Sequence, residues 1–355
     1  MFFYEYELTK VSNVLVREIF KLKPGETFII TADTGTDYRI VNVTASAAFA
    51  VDAKPMVIWL ASPLGVGKAA DPILPVKALA GALKEADAWV AFNNKFLLYS
   101  TPYEIAMKEN KKLRYMGFAG YSTDTMIRLI GQVDYPTLKE FLENISDKTK
   151  NAKHIRMTTP AGVDIEFDNA KLENGNPDPT HPIHVSFGYA DVPGAHMVAG
   201  QISWSPNLES IHGIIAIDNS ITKIGKLEEP IFLTIKAGTI IKVEGGKQAV
   251  EFEAWLRSFN HPHMYKIAHT GYGFNPGAKF GTGLAAEDER IWGSTEWGIG
   301  HVGAQLIKPD GIPAPSHIDG KCLNTSVWLD GEQIMNNGKI IEPSLIKLAE
   351  KLGKG

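Results

Sequence analysis

The sequence is poor in cysteine and has no strong excess of one charge. Cys322 is the single cysteine in 355 residues, which excludes an intramolecular disulfide framework and any multi-cysteine zinc or iron–sulfur site. The 36 Lys and Arg residues against 40 Asp and Glu residues give a formal charge of −4. This balance lacks the basic surplus of nucleic-acid-binding proteins, so we expect no nucleic-acid partner.

Long apolar runs are also missing. The most apolar stretch, 43–60, is interrupted by Asp52, Lys54 and Pro55, whereas a bilayer span needs roughly 20 uninterrupted apolar residues. The N-terminal stretch MFFYEYELTK has no basic segment leading into an apolar region. We therefore expect no export signal, no membrane partner and a cytoplasmic location.

The first part of the chain alternates between strand and helix patterns. Three β-type runs are separated by two segments with helical apolar spacing, in the order 27–31, 41–51, 56–60, 76–86 and 88–92. This alternation predicts an α/β N-terminal domain with a parallel sheet. A helix over 136–146, followed by a polar stretch, is expected to close this domain, which gives it the bounds 1–150.

The second part, 151–355, has a different pattern, with short strands, many turn residues and a helical segment at 249–259. It predicts a β-rich α+β C-terminal domain. All ten histidines lie from His154 onward. Because imidazole titrates near neutrality and binds metals, we expect this domain to be the metal-binding, catalytic one.

The segment 313–320 contains the sharpest local signal, His317-Ile318-Asp319. In an extended chain, alternation places His317 and Asp319 on one face and Ile318 on the other. One further histidine would complete a two-histidine, one-carboxylate facial triad, a set that leaves positions on Fe(II) open. The alternative is an aspartate that only orients a histidine at a turn.

The best third ligand is His269, because the glycines and Asn-Pro that follow it at 271–277 indicate an irregular loop of the kind that lines a site. His261 and His263 compete with it. They flank Pro262 directly after a predicted helix, which favours a cap or turn.

Two further elements offer acid–base groups. Glu296 and His301 lie in the dense segment 293–301, as acid–base groups or as ligands of a second metal. His196 ends the Gly/Pro loop 188–196 and is our candidate for proton transfer.

Several of these elements together resemble a known group, the aminopeptidase T/S metallopeptidases and their relatives, the 2,5-dihydroxypyridine 5,6-dioxygenases. The resemblance spans most of the chain. It rests on four features: the turn 23–26, the segment 154–164 that opens the second domain, residues Pro206, Gly213, Asp218 and Pro230, and the loops at His269 and His317. It implies an N-terminal α/β domain, a β-rich C-terminal metal domain and a homo-oligomer.

The two branches differ at the metal. Where the peptidases carry a ligand glutamate, this chain has His269, and the dioxygenases have a histidine there. The dioxygenases also carry His-x-Asp at the position of His317 and Asp319. The resemblance therefore implies a mononuclear Fe(II) centre held by His269, His317 and Asp319.

The resemblance also implies an activity. It is the oxidative, extradiol-like ring opening of a hydroxylated pyridine with O₂, by which 2,5-dihydroxypyridine gives N-formylmaleamate. Tyr99 stands where the dioxygenases carry a histidine, so a role at the substrate is altered here. Tyr99, Tyr189 and Tyr272 are candidates to contact the ring, and each is equally suited to packing.

Two alternatives remain. The first is a dinuclear-metal aminopeptidase, in which Glu296 binds a second ion and two metals activate water. The second is a small-molecule binding protein that retains the scaffold without catalysis.

Overall fold

The computed structural model describes residues 4–355; residues 1–3, part of the stretch examined above for an export signal, lie outside them. The strands are β1 Thr27–Asp33, β2 Lys54–Leu60, β3 Ala88–Ala91, β4 Arg114–Gly117, β5 His154–Thr158, β6 Asp164–Asp168, β7 His184–Ser186, β8 Gly194–His196, β9 Gln201–Trp204, β10 His212–Ile217, β11 Ser220–Ile221, β12 Gly225–Lys226, β13 Ile231–Lys236, β14 Thr239–Glu244, β15 Ile267–Gly273, β16 Ser294–Val302, β17 Ile312–Cys322, β18 Ser326–Leu329, β19 Glu332–Asn336 and β20 Lys339–Ile340. The α-helices are α1 Glu5–Asn13, α2 Tyr38–Phe49, α3 Val76–Lys84, α4 Thr101–Glu109, α5 Thr123–Met126, α6 Tyr135–Asn151, α7 Lys247–Ser258, α8 Ala285–Asp288 and α9 Pro343–Lys351. Short π-helical turns continue α1 and α5.

The chain forms two compact units. The first unit contains the described residues up to Val133 together with Gly188–Ala199, and the second contains Asp134–Phe187 and Gly200–Gly355. The predicted bounds, 1–150 and 151–355, differ from this division. The segment Gly188–Ala199 returns to the first unit because its strand β8 pairs with β4, a long-range contact that local pattern does not reveal.

The first unit is built on a five-stranded sheet in the order β2-β1-β3-β4-β8, and all its strand pairs are parallel. β3 and β4 are buried along their whole length, as expected for parallel strands covered on both faces. Asp37 begins α2 by accepting a hydrogen bond from the backbone N–H of Arg39. The predicted α/β domain with a parallel sheet is confirmed.

Helix α6 does not close the first unit, contrary to our prediction. It belongs to the second unit, where its Phe141 contacts the rings of Phe274 and Trp292, each with ring centroids 5.0 Å from that of Phe141. Near its end, Lys148 pairs with Glu342 at the start of α9. The apolar spacing correctly predicted the helix, but which unit its apolar face would contact depends on tertiary structure.

The second unit contains two antiparallel sheets. Eight strands follow the order β14-β13-β10-β6-β5-β18-β19-β20, and seven follow the order β12-β11-β17-β16-β15-β9-β7. Phe167 of the first sheet meets Trp297 of the second edge to face, with ring centroids 5.8 Å apart. These buried aromatics lie between the two sheets, so the other face of β16 is left for a site. The predicted β-rich C-terminal part is confirmed.

Among residues 4–355, no helix is long and apolar enough to cross a membrane.

Candidate metal centre

Three neighbouring strands of the seven-stranded sheet carry the centre, with β16 between β15 and β17. Along β17, Ile318 is buried and a Cβ on Gly320 would contact Ile217 of the other sheet. His317 and Asp319 alternate with these residues and therefore point to the opposite face. The expected alternation is thus present in the folded chain.

His269 reaches the same place from two strands away. It pairs with Gly298 on β16, and Gly298 pairs with Asp319 on β17, so the three residues form one row across the strands. Backbones two strands apart are separated by about 10 Å. His269 and Asp319 meet above Gly298 because the middle residue of the row has no side chain.

The donor atoms of the three side chains converge. His269 Nε2 lies 3.3 Å from His317 Nε2 and 3.2 Å from Asp319 Oδ1, and His317 Nε2 lies 3.0 Å from Asp319 Oδ1. The two imidazoles stack with their planes 17° apart. Within residues 4–355, this is the group of three His, Cys, Asp or Glu side chains arranged to hold a metal ion.

These separations fit a facial set of metal ligands. Adjacent donors about 2.1 Å from one ion and at right angles lie about 3 Å apart, close to all three distances. Two imidazole nitrogens facing one carboxylate oxygen also form the ligand chemistry of non-haem Fe(II) sites. The residues present therefore fit a single divalent cation.

The backbone fixes the tautomer of His317. Its Nδ1 lies 2.7 Å from the carbonyl oxygen of His301, and since a carbonyl only accepts, Nδ1 must donate. Nε2 is then the nitrogen that faces the other two donors, and it would bind a metal ion after releasing the proton that it donates to Asp319. His269 Nδ1 is buried and has no hydrogen-bond partner within the described part of the chain.

Charge at the centre favours a cation. Burial alone would lower the pKa of His317, but the carboxylate of Asp319 outweighs it and raises that pKa to about 9. Burial likewise opposes ionisation of Asp319, yet the charge of His317 and hydrogen bonds from both imidazoles hold the pKa of Asp319 well below its usual range. Asp319 is therefore an anion that attracts a proton or a metal ion.

Glu296 lies on the same face but is held by other partners. Its carboxylate accepts hydrogen bonds from Gln201 Nε2 at 2.9 Å and Ser203 Oγ at 2.8 Å. Burial, with the nearby charge of Glu289 as the next cause, raises the pKa of Glu296 to about 7. It is not among the three converging donors.

The other histidines predicted for the second unit lie outside this cluster. The imidazole of His301 is exposed, and only its carbonyl contacts the centre. His261 begins a short 3₁₀ turn by accepting from the backbone N–H of His263, which agrees with the predicted capping role.

Two other predicted site residues, His196 and Tyr99, belong to the first unit, whereas the centre belongs to the second. His196 Nε2 donates to the carbonyl of Val192 at 2.7 Å. Tyr99 is 60% exposed and packs edge to face on Tyr103.

Two tyrosines proposed to contact a ring have other surroundings. Tyr189, also in the first unit, lies under the Lys21 ammonium. Tyr272 is fully buried and packs against Trp204 and Phe274. Since Tyr272 alternates with His269 along β15, its side chain points away from the centre.

Sequence reasoning missed the polar groups around the centre, which are the buried Ser203, Arg290 and Lys321 and the partly buried Gln201 and Glu289. Lys321 lies two residues after Asp319 on β17 and so shares the face of His317 and Asp319. In the same way, Gln201 and Ser203 lie two residues apart on β9 and share one face of that strand. Period-two polar residues next to the His-x-Asp motif were the available signal.

The fold of this chain is found in two solved structures. The solved structure of AmpT from Thermus thermophilus matches with a TM-score of 0.68 at 13% identity, covering 96% of this chain and 100% of its own. The solved 2,5-dihydroxypyridine dioxygenase from Pseudomonas putida matches with a TM-score of 0.74 at 21% identity, covering 96% and 99%. The chain thus has the aminopeptidase T-like fold.

Sequence comparison identifies the branch. The profile of the 2,5-dihydroxypyridine 5,6-dioxygenase family matches residues 14–342, and the chain belongs to this family. The 2,5-dihydroxypyridine 5,6-dioxygenase of Pseudomonas putida is 24% identical over 340 residues, which span 87% of this chain and 89% of the relative. The protein is therefore an enzyme of the dioxygenase class, and the predicted relationship is confirmed.

Proposed function

We propose that this protein is a non-haem Fe(II) dioxygenase that opens the ring of a hydroxylated pyridine. Its substrate would be 2,5-dihydroxypyridine or a close analogue, which O₂ converts to N-formylmaleamate or its counterpart. The observation that carries the proposal is the convergence of His269, His317 and Asp319, with donor atoms 3.0 to 3.3 Å apart. Family membership supports the choice of reaction.

The three side chains would hold the iron through His269 Nε2, His317 Nε2 and Asp319 Oδ1. Bound there, Fe(II) supplies positions for the substrate hydroxyl and O₂ and activates the gas. The carbonyl of His301 keeps the proton of His317 on Nδ1 and so keeps Nε2 available. Gly298 leaves the space in which His269 lies.

Glu296 would support the site through its hydrogen bonds and would not coordinate the iron. Its carboxylate is fixed by Gln201 and Ser203 in a buried environment. A second metal ion bound by Glu296 would have to displace these hydrogen bonds. The proton-transfer role of His196 and the ring-contact role of Tyr99 rest on the sequence alone and stay predictions.

Anaerobic reconstitution with Fe(II) tests the proposal. We expect about one tightly bound iron per chain, as the triad requires, and O₂ uptake equal to the 2,5-dihydroxypyridine consumed. Mass spectrometry should show a product that contains both oxygen atoms. The variant H317A is expected to lose both iron and O₂ uptake, and it serves as the control for activity from free iron.

Other outcomes would favour the alternatives. Two tightly bound zinc ions with release of amino acids from peptides would identify an aminopeptidase. Binding of hydroxypyridine to the iron-loaded protein without O₂ uptake would identify a binding protein.

A further inference from the structure

Lys321 is a buried cation close to the proposed metal centre. It lies two residues after Asp319 on the same face of β17, directly opposite Glu296 on β16. Its side chain is 1% exposed. A buried ammonium group requires hydrogen bonds and a nearby negative charge. The partners of Lys321 therefore indicate its role.

The ammonium is held in place by oxygen atoms. Lys321 Nζ donates to Thr222 Oγ1 at 2.8 Å and to the carbonyl oxygen of Asp319 at 3.2 Å. It lies 3.7 Å from Glu289 Oε1. Lys321 is thus fixed between the strand that carries the metal ligands and the carboxylate of Glu289.

Glu289 and Glu296 form a pair of carboxylates beside the centre. A single nitrogen, Gln201 Nε2, lies within 3.3 Å of Glu289 Oε2 and within 2.9 Å of Glu296 Oε1. Arg290 donates to Glu289 and to Gln201 Oε1. The carboxylates of Glu289 and Glu296 thus share one hydrogen-bond donor, and carboxylate oxygens are ligands that a divalent cation prefers.

We propose that Lys321 takes the place of a second divalent ion and thereby restricts the centre to one metal. This inference rests on the proposed function, because it presupposes that His269, His317 and Asp319 bind an ion. The fixed ammonium supplies positive charge to Glu289 and blocks a second cation by repulsion. Like charges a few ångströms apart in a buried site repel strongly because little water screens them.

Zinc titration of the full-length protein tests this role. We expect wild type to bind one Zn²⁺ tightly, as measured by calorimetry and by metal analysis after gel filtration. The variant K321M removes the charge while keeping most of the side-chain volume. It should bind a second Zn²⁺ at least about 100-fold more tightly than wild type does.

Two further variants separate charge from structure. K321M/E289Q removes the ammonium together with one carboxylate and should return to one Zn²⁺, because the second ion loses a ligand. K247M changes a lysine whose side chain is 90% exposed on α7, and it should bind one Zn²⁺ like wild type. Thermal unfolding without metal checks that each variant is folded.

The outcomes distinguish the two hypotheses. If wild type binds no Zn²⁺, the metal centre itself is wrong. If wild type binds one Zn²⁺ and folded K321M also binds one, the role of Lys321 is overturned while the proposed function stands. A second tight Zn²⁺ on wild type would overturn the role of Lys321 without any variant. If K321M fails to fold, K321Q removes the charge but keeps a donor for Thr222 Oγ1, and it should bind the second Zn²⁺; one Zn²⁺ on folded K321Q would overturn the role of Lys321.

Discussion

The imidazole of His269 lies directly over Gly298, and a Cβ built on that glycine would come within 2.3 Å of His269 Nε2. Real Cβ atoms do not approach so closely. The contact explains a glycine in the middle of a buried strand, where glycine is otherwise unfavourable. A small residue at 298 is thus a condition for His269 and Asp319 to meet across β16.

Replacement of Gly298 by alanine should displace His269 and weaken metal binding. We expect G298A to lose most of its affinity for Zn²⁺ or Fe(II) in a calorimetric titration. Overpacking should also lower the free energy of unfolding by about 1–3 kcal/mol.

The matched control is G320A, on the opposite face of β17. Its Cβ would come within 2.3 Å of Ile217 Cδ1 between the two sheets, so it should reduce stability but leave the metal stoichiometry unchanged. Equal metal affinity for G298A and wild type would contradict the role of Gly298.

Metal binding should stabilise the fold. An ion that binds only the folded chain adds about 2.7 kcal/mol when its concentration is 100 times the dissociation constant. Thermal unfolding should therefore shift upward with Fe(II) or Zn²⁺ and return with a chelator. H317A and D319N should show no such shift, because even loss of a residue that only supports a ligand weakens metal binding by about 10–100-fold. A full shift in D319N would remove Asp319 from the ligand set.

His196 should matter for turnover rather than for metal binding. A side chain that transfers a proton in the rate-determining step contributes about 10²–10⁴-fold to the rate. We expect H196Q to lower kcat within this range while it binds about one iron, as the triad requires. Steady-state O₂ uptake combined with iron analysis checks both values. An unchanged kcat across the pH range would exclude this role for His196.

The sequence allowed the shared face of His317 and Asp319 to be predicted because it depends on local pattern. The alternation of His317, Ile318 and Asp319 requires only an extended chain, and β17 provides it. His269 was chosen from the glycine-rich pattern that follows it, and the resemblance agreed with that choice, but the expected loop at His269 is the buried strand β15. The parallel sheet of the first unit followed similarly from alternating helix and strand patterns.

The polar surroundings of the centre and the placement of α6 depend instead on contacts between segments distant in the sequence. Gln201 meets Glu296, 95 residues later, because β9 and β16 both flank β15. Glu289 meets Lys321 through the position of the loop before β16. Strand order and register cannot be read from period-two patterns in one sequence. The same reason explains why α6 was assigned to the wrong unit.

Glu342 should make the stability of the second unit depend on pH. Its side chain begins α9 by accepting from the backbone N–H of Leu345, and Lys148 Nζ of α6 lies 2.9 Å from its Oε1. Burial alone would raise the pKa of Glu342, but hydrogen bonds from Ser344 and Lys148 outweigh it and lower this pKa. A lowered pKa in the folded state means that the ionised carboxylate stabilises the fold.

The variant E342Q should therefore lower the free energy of unfolding by about 1 kcal/mol at pH 7. The contribution of Glu342 is complete above the pKa of the unfolded chain, about 4.3, and is lost as the pH falls through the lower folded value. Urea unfolding at pH 7 and below pH 3 should thus show a difference between wild type and E342Q that shrinks in acid. K148M should remove part of the same difference because it deletes the partner. A difference that stays constant from pH 7 into acid would show that Glu342 acts through its shape and not through its charge.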